Sequence, residues 1–238
     1  MTLSYSRLRA AEQIAFIAPE QIVPGMALPV AAPKGRSKIY RRFFKRALDV
    51  TAIVLAAPVV VPLVAALAFA VSRDGGSAFY SQQRVGRHGR AFRMWKLRSM
   101  VPDADDRMAD YLASNPAARA EWDETQKLKN DPRVTRFGQF LRQTSLDELP
   151  QLWNVFMGDM SLVGPRPMML NQQALYPGTG YYALQPGITG YWQTAGRNRT
   201  SFEARAGYDD AYEADVSLLT DLQILVRTVG VVVKATGC

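Results

Sequence analysis

From Thr51 to Ser72 the chain runs TAIVLAAPVVVPLVAALAFAVS, 22 residues without a charged side chain. No other stretch is long and apolar enough to cross a hydrocarbon core as one helix, which takes about 20 such residues. Pro58 and Pro62 stand in its middle, and each removes a backbone donor and crowds the preceding turn. Both flanks are basic: Arg41, Arg42, Lys45 and Arg46 precede it, and Arg73, Arg84, Arg87, Arg90, Arg93, Lys96 and Arg98 follow. Lys and Arg stay preferentially on the cytoplasmic side, so two basic flanks place both ends there. A helix broken near Pro62 gives halves of roughly 10–13 residues, and neither half alone spans about 30 Å. The segment is therefore expected to be re-entrant, a broken helix that enters and leaves by one face. A proline-kinked single-pass anchor is the alternative. Phe43 and Phe44, set among four cations, suit the headgroup interface.

This segment divides the chain. Residues 1–40 carry scattered Pro, Gly and Ala and read as a loosely ordered N-terminal tail. Residues 41–73 read as the interfacial and re-entrant part, and 74–238 as a cytoplasmic domain. Ala78–Ser81 and Ala91–Trp95 flank a Gly- and Arg-rich loop and predict a short β-hairpin. Residues 102–128 have helical character, as do 137–141. Ser145–Phe156 is expected to be a helix with Ser145 as N-cap and Glu148 as its capping-box partner. Stretches rich in Gly and Pro at 158–167 and 186–190 read as loops. The fold class expected is α+β and mainly α-helical: a re-entrant membrane helix plus a small domain with a short β-hairpin.

A single cysteine, Cys238, and a single histidine, His88, exclude a disulfide framework, a Cys-based zinc site, multi-His metal sites and Ser-His-Asp catalysis supported from elsewhere in the chain. His88 lies in the run Arg87-His88-Gly89-Arg90 and reads as a loop residue. The net charge of +8 asks for an anionic partner: membrane lipid, a diphosphate substrate or nucleic acid. The cations crowd around the apolar segment and no recognised nucleic-acid motif is present, so nucleic acid is not expected.

Asp147 and Glu148 are adjacent carboxylates at the start of an apparent helix, where acidic groups commonly complement the helix dipole. Their surroundings suggest more. Lys96, Arg98 and Arg142 precede them, and Arg166 follows in Gly164-Pro165-Arg166-Pro167. A carboxylate pair with dispersed cations is what a metal-assisted diphosphate site requires: carboxylates to hold Mg²⁺ or supply a nucleophile, and cations to neutralise phosphate oxygens. An arginine between two prolines is held on a restricted backbone.

Four stretches occur in order from Arg41 onward: KRALDV before the apolar segment, QQRVGRHGRAFRMWKLRSM, DPRVTRFGQFLRQTSLDELPQLWNVFMGDMSLVGPRP, and PGITGYWQTAGRNRTSFEAR. Together they resemble the bacterial sugar transferase family, monotopic polyprenyl-phosphate phosphoglycosyl transferases, and most nearly those that initiate exopolysaccharide synthesis. The resemblance implies transfer of a hexose-1-phosphate from a UDP-sugar to undecaprenyl phosphate through a covalent aspartyl phosphosugar. Asp147 would be the nucleophile and Glu148 its assistant, both near Mg²⁺. Lys96, Arg98, Arg142, Arg166 and Arg197 would bind the phosphates and the nucleotide sugar. UDP-galactose or UDP-glucose is the donor expected, and the site would lie at the cytoplasmic face of the bacterial inner membrane. Monomer and homodimer stay open. The family often breaks its membrane helix at Ser-Pro, where this chain has Val61-Pro62. Asp49 matches a family aspartate and is expected to pair with Arg46 or Arg73.

Overall fold

A computed structural model describes residues 39–125, 128, 130–195 and 201–233. The apolar segment forms a helix, α1 (Lys45–Ser72), continuing a π-helical turn at Tyr40–Phe44. Helical conformation persists through Pro58 and Pro62, so one element stands where the sequence predicts two halves. Only 6% of its most apolar window is buried, which separates it from the core helix of a soluble protein.

Both ends of α1 are fastened to the same body. At the N-terminal end, Lys45 Nζ donates to Asp221 Oδ2 at 2.6 Å and to the Tyr212 hydroxyl at 2.9 Å. Tyr40 Oη donates to the same Asp221 oxygen at 2.7 Å. Asp49 accepts from the Leu162 amide at 3.0 Å and bonds neither Arg46 nor Arg73. The amide reaches it first because Leu162 lies on a strand packed beneath the helix. Arg46 turns away to the carbonyls of Val155 and Phe156. At the other end Val71 packs on Leu97 and Leu141, and Arg98 clamps the exit turn. Its guanidinium binds Asp74 at 2.5 and 2.9 Å and donates to the carbonyls of Val71, Ser77 and Met100.

The hairpin pairs β1 (Phe79–Val85) with β2 (Ala91–Leu97), in a register running from Val85 opposite Ala91 to Phe79 opposite Leu97. His88 sits in the connection with φ of 59° beside Gly89 at 76°, the loop position expected for it. The helical stretch that follows is two helices, α2 (Ala104–Ser114) and α3 (Pro116–Thr125), because Pro116 favours extended backbone at Asn115 and opens a new helix. They bury Met108, Leu112 and Ala118 in a cluster of their own. This arm joins the body through a neck where Met100 bridges Val134. Helix α4 (Arg136–Gln143) is capped by Thr135, whose hydroxyl accepts from the Gly138 amide at 2.8 Å. A Cβ on Gly138 would lie 1.9 Å from the Ser99 carbonyl, so only glycine lets α4 approach the neck this closely.

The helix expected over Ser145–Phe156 is divided. Ser145 takes φ of 57° and makes no side-chain cap, Leu146–Glu148 forms a 3-10 turn, and α5 (Gln151–Met157) starts after Pro150. Left-handed backbone at Ser145 is incompatible with an N-cap, which needs extended backbone. The two Gly- and Pro-rich loops hold β3 (Ser161–Val163) and β4 (Gly187–Thr189), paired in parallel. Gly164 and Gly187 meet backbone to backbone there, and a Cβ on Gly187 would come within 2.1 Å of the Gly164 amide. The short helices α6 (Gly180–Ala183) and α7 (Tyr191–Ala195) flank β4. Helices α8 (Arg205–Asp215) and α9 (Leu218–Val233) then close a core of Tyr40, Val163, Leu184, Tyr212, Val216 and Ile224.

Candidate active site

The 3-10 turn carrying Asp147 and Glu148 faces β2, and a single buried amide sets its distance. Asn154 of α5 accepts from the Trp95 amide at 3.0 Å and donates to the Arg93 carbonyl at 2.7 Å. With helix and strand locked, Lys96 projects into the turn. Its Nζ donates to Glu148 Oε1 at 2.7 Å and stands 3.8 Å from Asp147 Oδ2. Asp147 is buried and Glu148 only partly so.

Their environments drive these two carboxyls apart. Burial raises Asp147 above the ordinary aspartate range. Lys96 and then Arg142 pull against that rise, and the Glu148 charge adds to it. At Glu148 burial also pushes upward, but the charges of Lys96 and Arg166, with hydrogen bonds from Lys96 and Gln151, outweigh it and hold the group below its usual range. Neighbouring carboxyls shifted in opposite directions are a recurrent sign of divided chemical roles.

Beside them lies a small polar cleft lined by Arg84, Met94, Lys96, Glu148, Gln151, Arg166, Pro167, Gly187 and Ile188. The structure thus gathers Lys96, Glu148 and Arg166 around one space, while Asp147 is not among the lining residues and reaches the group through Lys96, 3.8 Å away. Arg142 is held by the Ser99 hydroxyl at 2.9 Å and adds its charge to Asp147. Arg98 is not brought in; its guanidinium is consumed by the clamp on α1. Arg197 lies outside the described residues. Pro58 and Pro62 are on α1, away from the lining. Among the described residues no group of three or more His, Cys, Asp or Glu gathers as a metal cage.

Two polar lining residues, Gln151 and Arg84, escape the sequence reading of the site. Gln151 could have been found by spacing, since it falls four residues after Asp147 and three after Glu148. Arg84 shares a hairpin face with Met94 and Lys96, because Arg84 opposes Phe92 and Gln82 opposes Met94. That parity is unreadable until the register across a five-residue connection is known.

A carboxylate pair, a matched lysine and a cleft with two arginines thus lie on the body that holds both ends of an exposed apolar helix. The family model for bacterial sugar transferases matches residues 40–235. Relatives include a UDP-galactose-lipid carrier transferase of Erwinia amylovora, 49% identical over 82% of this chain and 42% of its own length. A second is the exopolysaccharide production protein ExoY of Sinorhizobium fredii, 42% identical over 81% of this chain and 87% of that protein. A third is a UDP-glucose:undecaprenyl-phosphate glucose-1-phosphate transferase of Escherichia coli K12, 37% identical over 79% of this chain and 40% of its own length. The chain therefore covers less than half of the Erwinia and Escherichia proteins and most of the Sinorhizobium one. It belongs to the bacterial sugar transferase family.

Proposed function

We propose that this protein transfers a hexose-1-phosphate from a UDP-sugar to undecaprenyl phosphate, releasing UMP, as the first membrane step of exopolysaccharide synthesis. The observation that carries this reading is the Lys96–Asp147–Glu148 arrangement with its oppositely shifted carboxyls. Names of relatives support the substrate classes, galactose or glucose on the donor and undecaprenyl phosphate as acceptor.

In the first step an Asp147 carboxylate oxygen attacks the β-phosphorus of the UDP-sugar. A P–O bond to Asp147 forms, the bond to the bridging oxygen breaks, and UMP leaves with that oxygen and its electron pair. In the second, an oxygen of undecaprenyl phosphate attacks the same phosphorus and Asp147 leaves as carboxylate. Splitting the transfer into two displacements lowers each barrier. A raised affinity for protons makes Asp147 the more basic, hence more nucleophilic, member of the pair. Glu148 stays ionised and holds the Lys96 ammonium where the phosphate oxygens come. Arg142 and Arg166 add positive charge from two sides, and Arg197 is assigned to the nucleotide sugar by family resemblance alone. Arg98 is better read as the fastener of α1. The donor set suits Mg²⁺, which commonly takes one or two carboxylates and completes its shell with substrate phosphates and water. Bound there by Asp147 and Glu148, it would neutralise diphosphate charge.

The re-entrant reading has geometric support. Ile53 packs with Phe92, Met94 and Val155, while Leu67, Ala68 and Val71 pack with Leu97. In a straight helix Ile53 and Leu67 would be ~21 Å apart, whereas Met94 and Leu97 are only ~10 Å apart on their strand. A helix bent around Pro58 and Pro62 brings both halves to one strand, leaving Leu55, Val59 and Val61 exposed to lipid. On this reading residues 41–73 are the membrane part and 74–238 lie at the cytoplasmic face of the inner membrane. There the site meets both a lipid phosphate and a soluble nucleotide sugar.

Release of UMP from a panel of UDP-sugars by detergent-purified protein, with Mg²⁺ and undecaprenyl phosphate, tests the reaction. UMP should appear with one hexose donor and be lost in Asp147→Asn by about a thousandfold or more, the loss expected when a covalent nucleophile is removed. Folded protein that releases none from any donor would refute it.

A further inference from the structure

The cations of the cleft fall into two groups. Lys96 is matched by carboxylates at 2.7 and 3.8 Å. Arg84, Arg166 and Arg205 have no carboxylate within ion-pair distance among the described residues. Among the described residues Arg84 donates once, to Gln82 Oε1 at 2.6 Å, and its buried Nε has no partner. Arg205 is 6% exposed, and its buried Nε likewise has no partner among them. It donates to the Arg166 carbonyl at 2.7 Å and lies over the rings of Trp192 at 5.0 Å and Phe202 at 5.1 Å. Arg166 lies over Trp192 at 5.7 Å. Burial and mutual repulsion push both Arg84 and Arg205 below the usual guanidinium range, with Asp209 opposing at Arg205. Buried donors and unmatched like charges are costly alone and are relieved by an incoming anion.

The geometry points to a second anion seat in this cleft, in which Arg84 and Arg166 contact the phosphate of the departing nucleoside monophosphate and Arg205 positions Arg166. The inference rests on the transferase reading above. A diphosphate donor brings two phosphates. The one that reacts must sit at Asp147 and Lys96. The other gains negative charge as the bridging bond breaks, and unmatched arginines stabilise that charge most where it develops. Fork-shaped guanidinium groups also suit phosphate oxygens better than an ammonium does.

Exchange of labelled UMP into UDP-sugar without acceptor reads the first displacement alone, and kcat/KM for undecaprenyl phosphate in the full reaction reads the second. Calorimetric UMP binding needs no turnover. Arg84→Gln should raise the UMP KM in exchange, and weaken UMP binding, by about tenfold or more, the cost of losing a charged contact to phosphate. The kcat/KM for undecaprenyl phosphate should stay within about twofold, since the second displacement leaves this seat empty. Arg205→Lys, with its melting temperature retained, should raise the same UMP KM, because an ammonium cannot keep both the stack and the carbonyl bond. Unchanged UMP binding in a folded Arg84→Gln variant would overturn the seat. A lowered kcat/KM for undecaprenyl phosphate with normal UMP exchange would give the seat to the acceptor and overturn the nucleotide assignment. If wild-type protein binds UMP, Arg84→Gln does not, and no exchange occurs, the seat stands while the transferase reading falls.

Discussion

Lys96 stands 2.7 Å from Glu148 and 3.8 Å from Asp147, and after burial it is the leading influence on both carboxyls. Glu148 falls below its ordinary range because the Arg166 charge and hydrogen bonds from Lys96 and Gln151 add to that influence, while at Asp147 burial prevails and holds it above its own. On acidification Asp147 should therefore take up a proton at higher pH than a free aspartate would. Attack needs the ionised form, so acceptor-free UMP exchange should fail on the acid side through this titration. Lys96→Gln removes the strongest opposition to the rise, and the acid limb of its pH–rate profile should move to higher pH. A limb left in place, or displaced to lower pH, would mean that Asp147 is not the ionising group or that Lys96 does not govern it. Asp147, Glu148, Lys96, Arg142 and Arg166 were all legible in the sequence, because each is a charged residue in a motif that carries the family resemblance. Arg98 shows the limit of such reading. Arg98 lies one residue past the end of β2, where the alternation that would align it with Lys96 no longer holds, and it serves Asp74 and three carbonyls instead.

At the scale of elements, α1 was readable from its hydrophobic length, although helical conformation persists through the prolines expected to break it, and the hairpin was readable from two short runs around glycines. The division of residues 145–157 was not. The spacing of a serine and a glutamate mimics a capping box, and only the left-handed backbone at Ser145 reveals a tight turn in its place. Three-residue strands such as β3 and β4 leave no periodic signal, so they passed as loops. The anchoring of α1 offers a direct test of the packing. Lys45→Met would strand Asp221, which is fully buried, with its charge unmatched. Such losses cost about 3–5 kcal/mol, measurable by chemical denaturation in detergent. Arg107→Ala, which removes a solvent-exposed pair with Asp103, should cost under about 1 kcal/mol. Equal losses in the two variants would show that the buried network does not fasten the helix. The bend is tested separately. Single cysteines at the exposed positions Ile39 and Ser77 in intact vesicles should react with an impermeant thiol reagent from the same side, after Cys238 is replaced. Labelling from opposite sides would establish a single-pass anchor.

Across the whole molecule, the charge of +8 is distributed to a purpose. At the root of α1, Lys45 is buried against Asp221, Arg41 meets Glu213 and Arg46 is spent on carbonyls, while on the proposed reading the cations in the cleft meet phosphates. Composition alone could state the excess but could not apportion it, since a lysine that clamps a helix and one that meets a substrate look alike in one dimension. The central claim is the covalent aspartyl phosphosugar, and it can be trapped. Protein incubated with UDP-galactose or UDP-glucose and Mg²⁺, without undecaprenyl phosphate, should be quenched in acid, digested and mapped by mass. Expected is one hexose phosphate on the peptide that holds Asp147, absent from Asp147→Asn and discharged when undecaprenyl phosphate is added before the quench. Full turnover with no adduct under these conditions, or an adduct on another residue, would contradict the assignment of Asp147 as nucleophile.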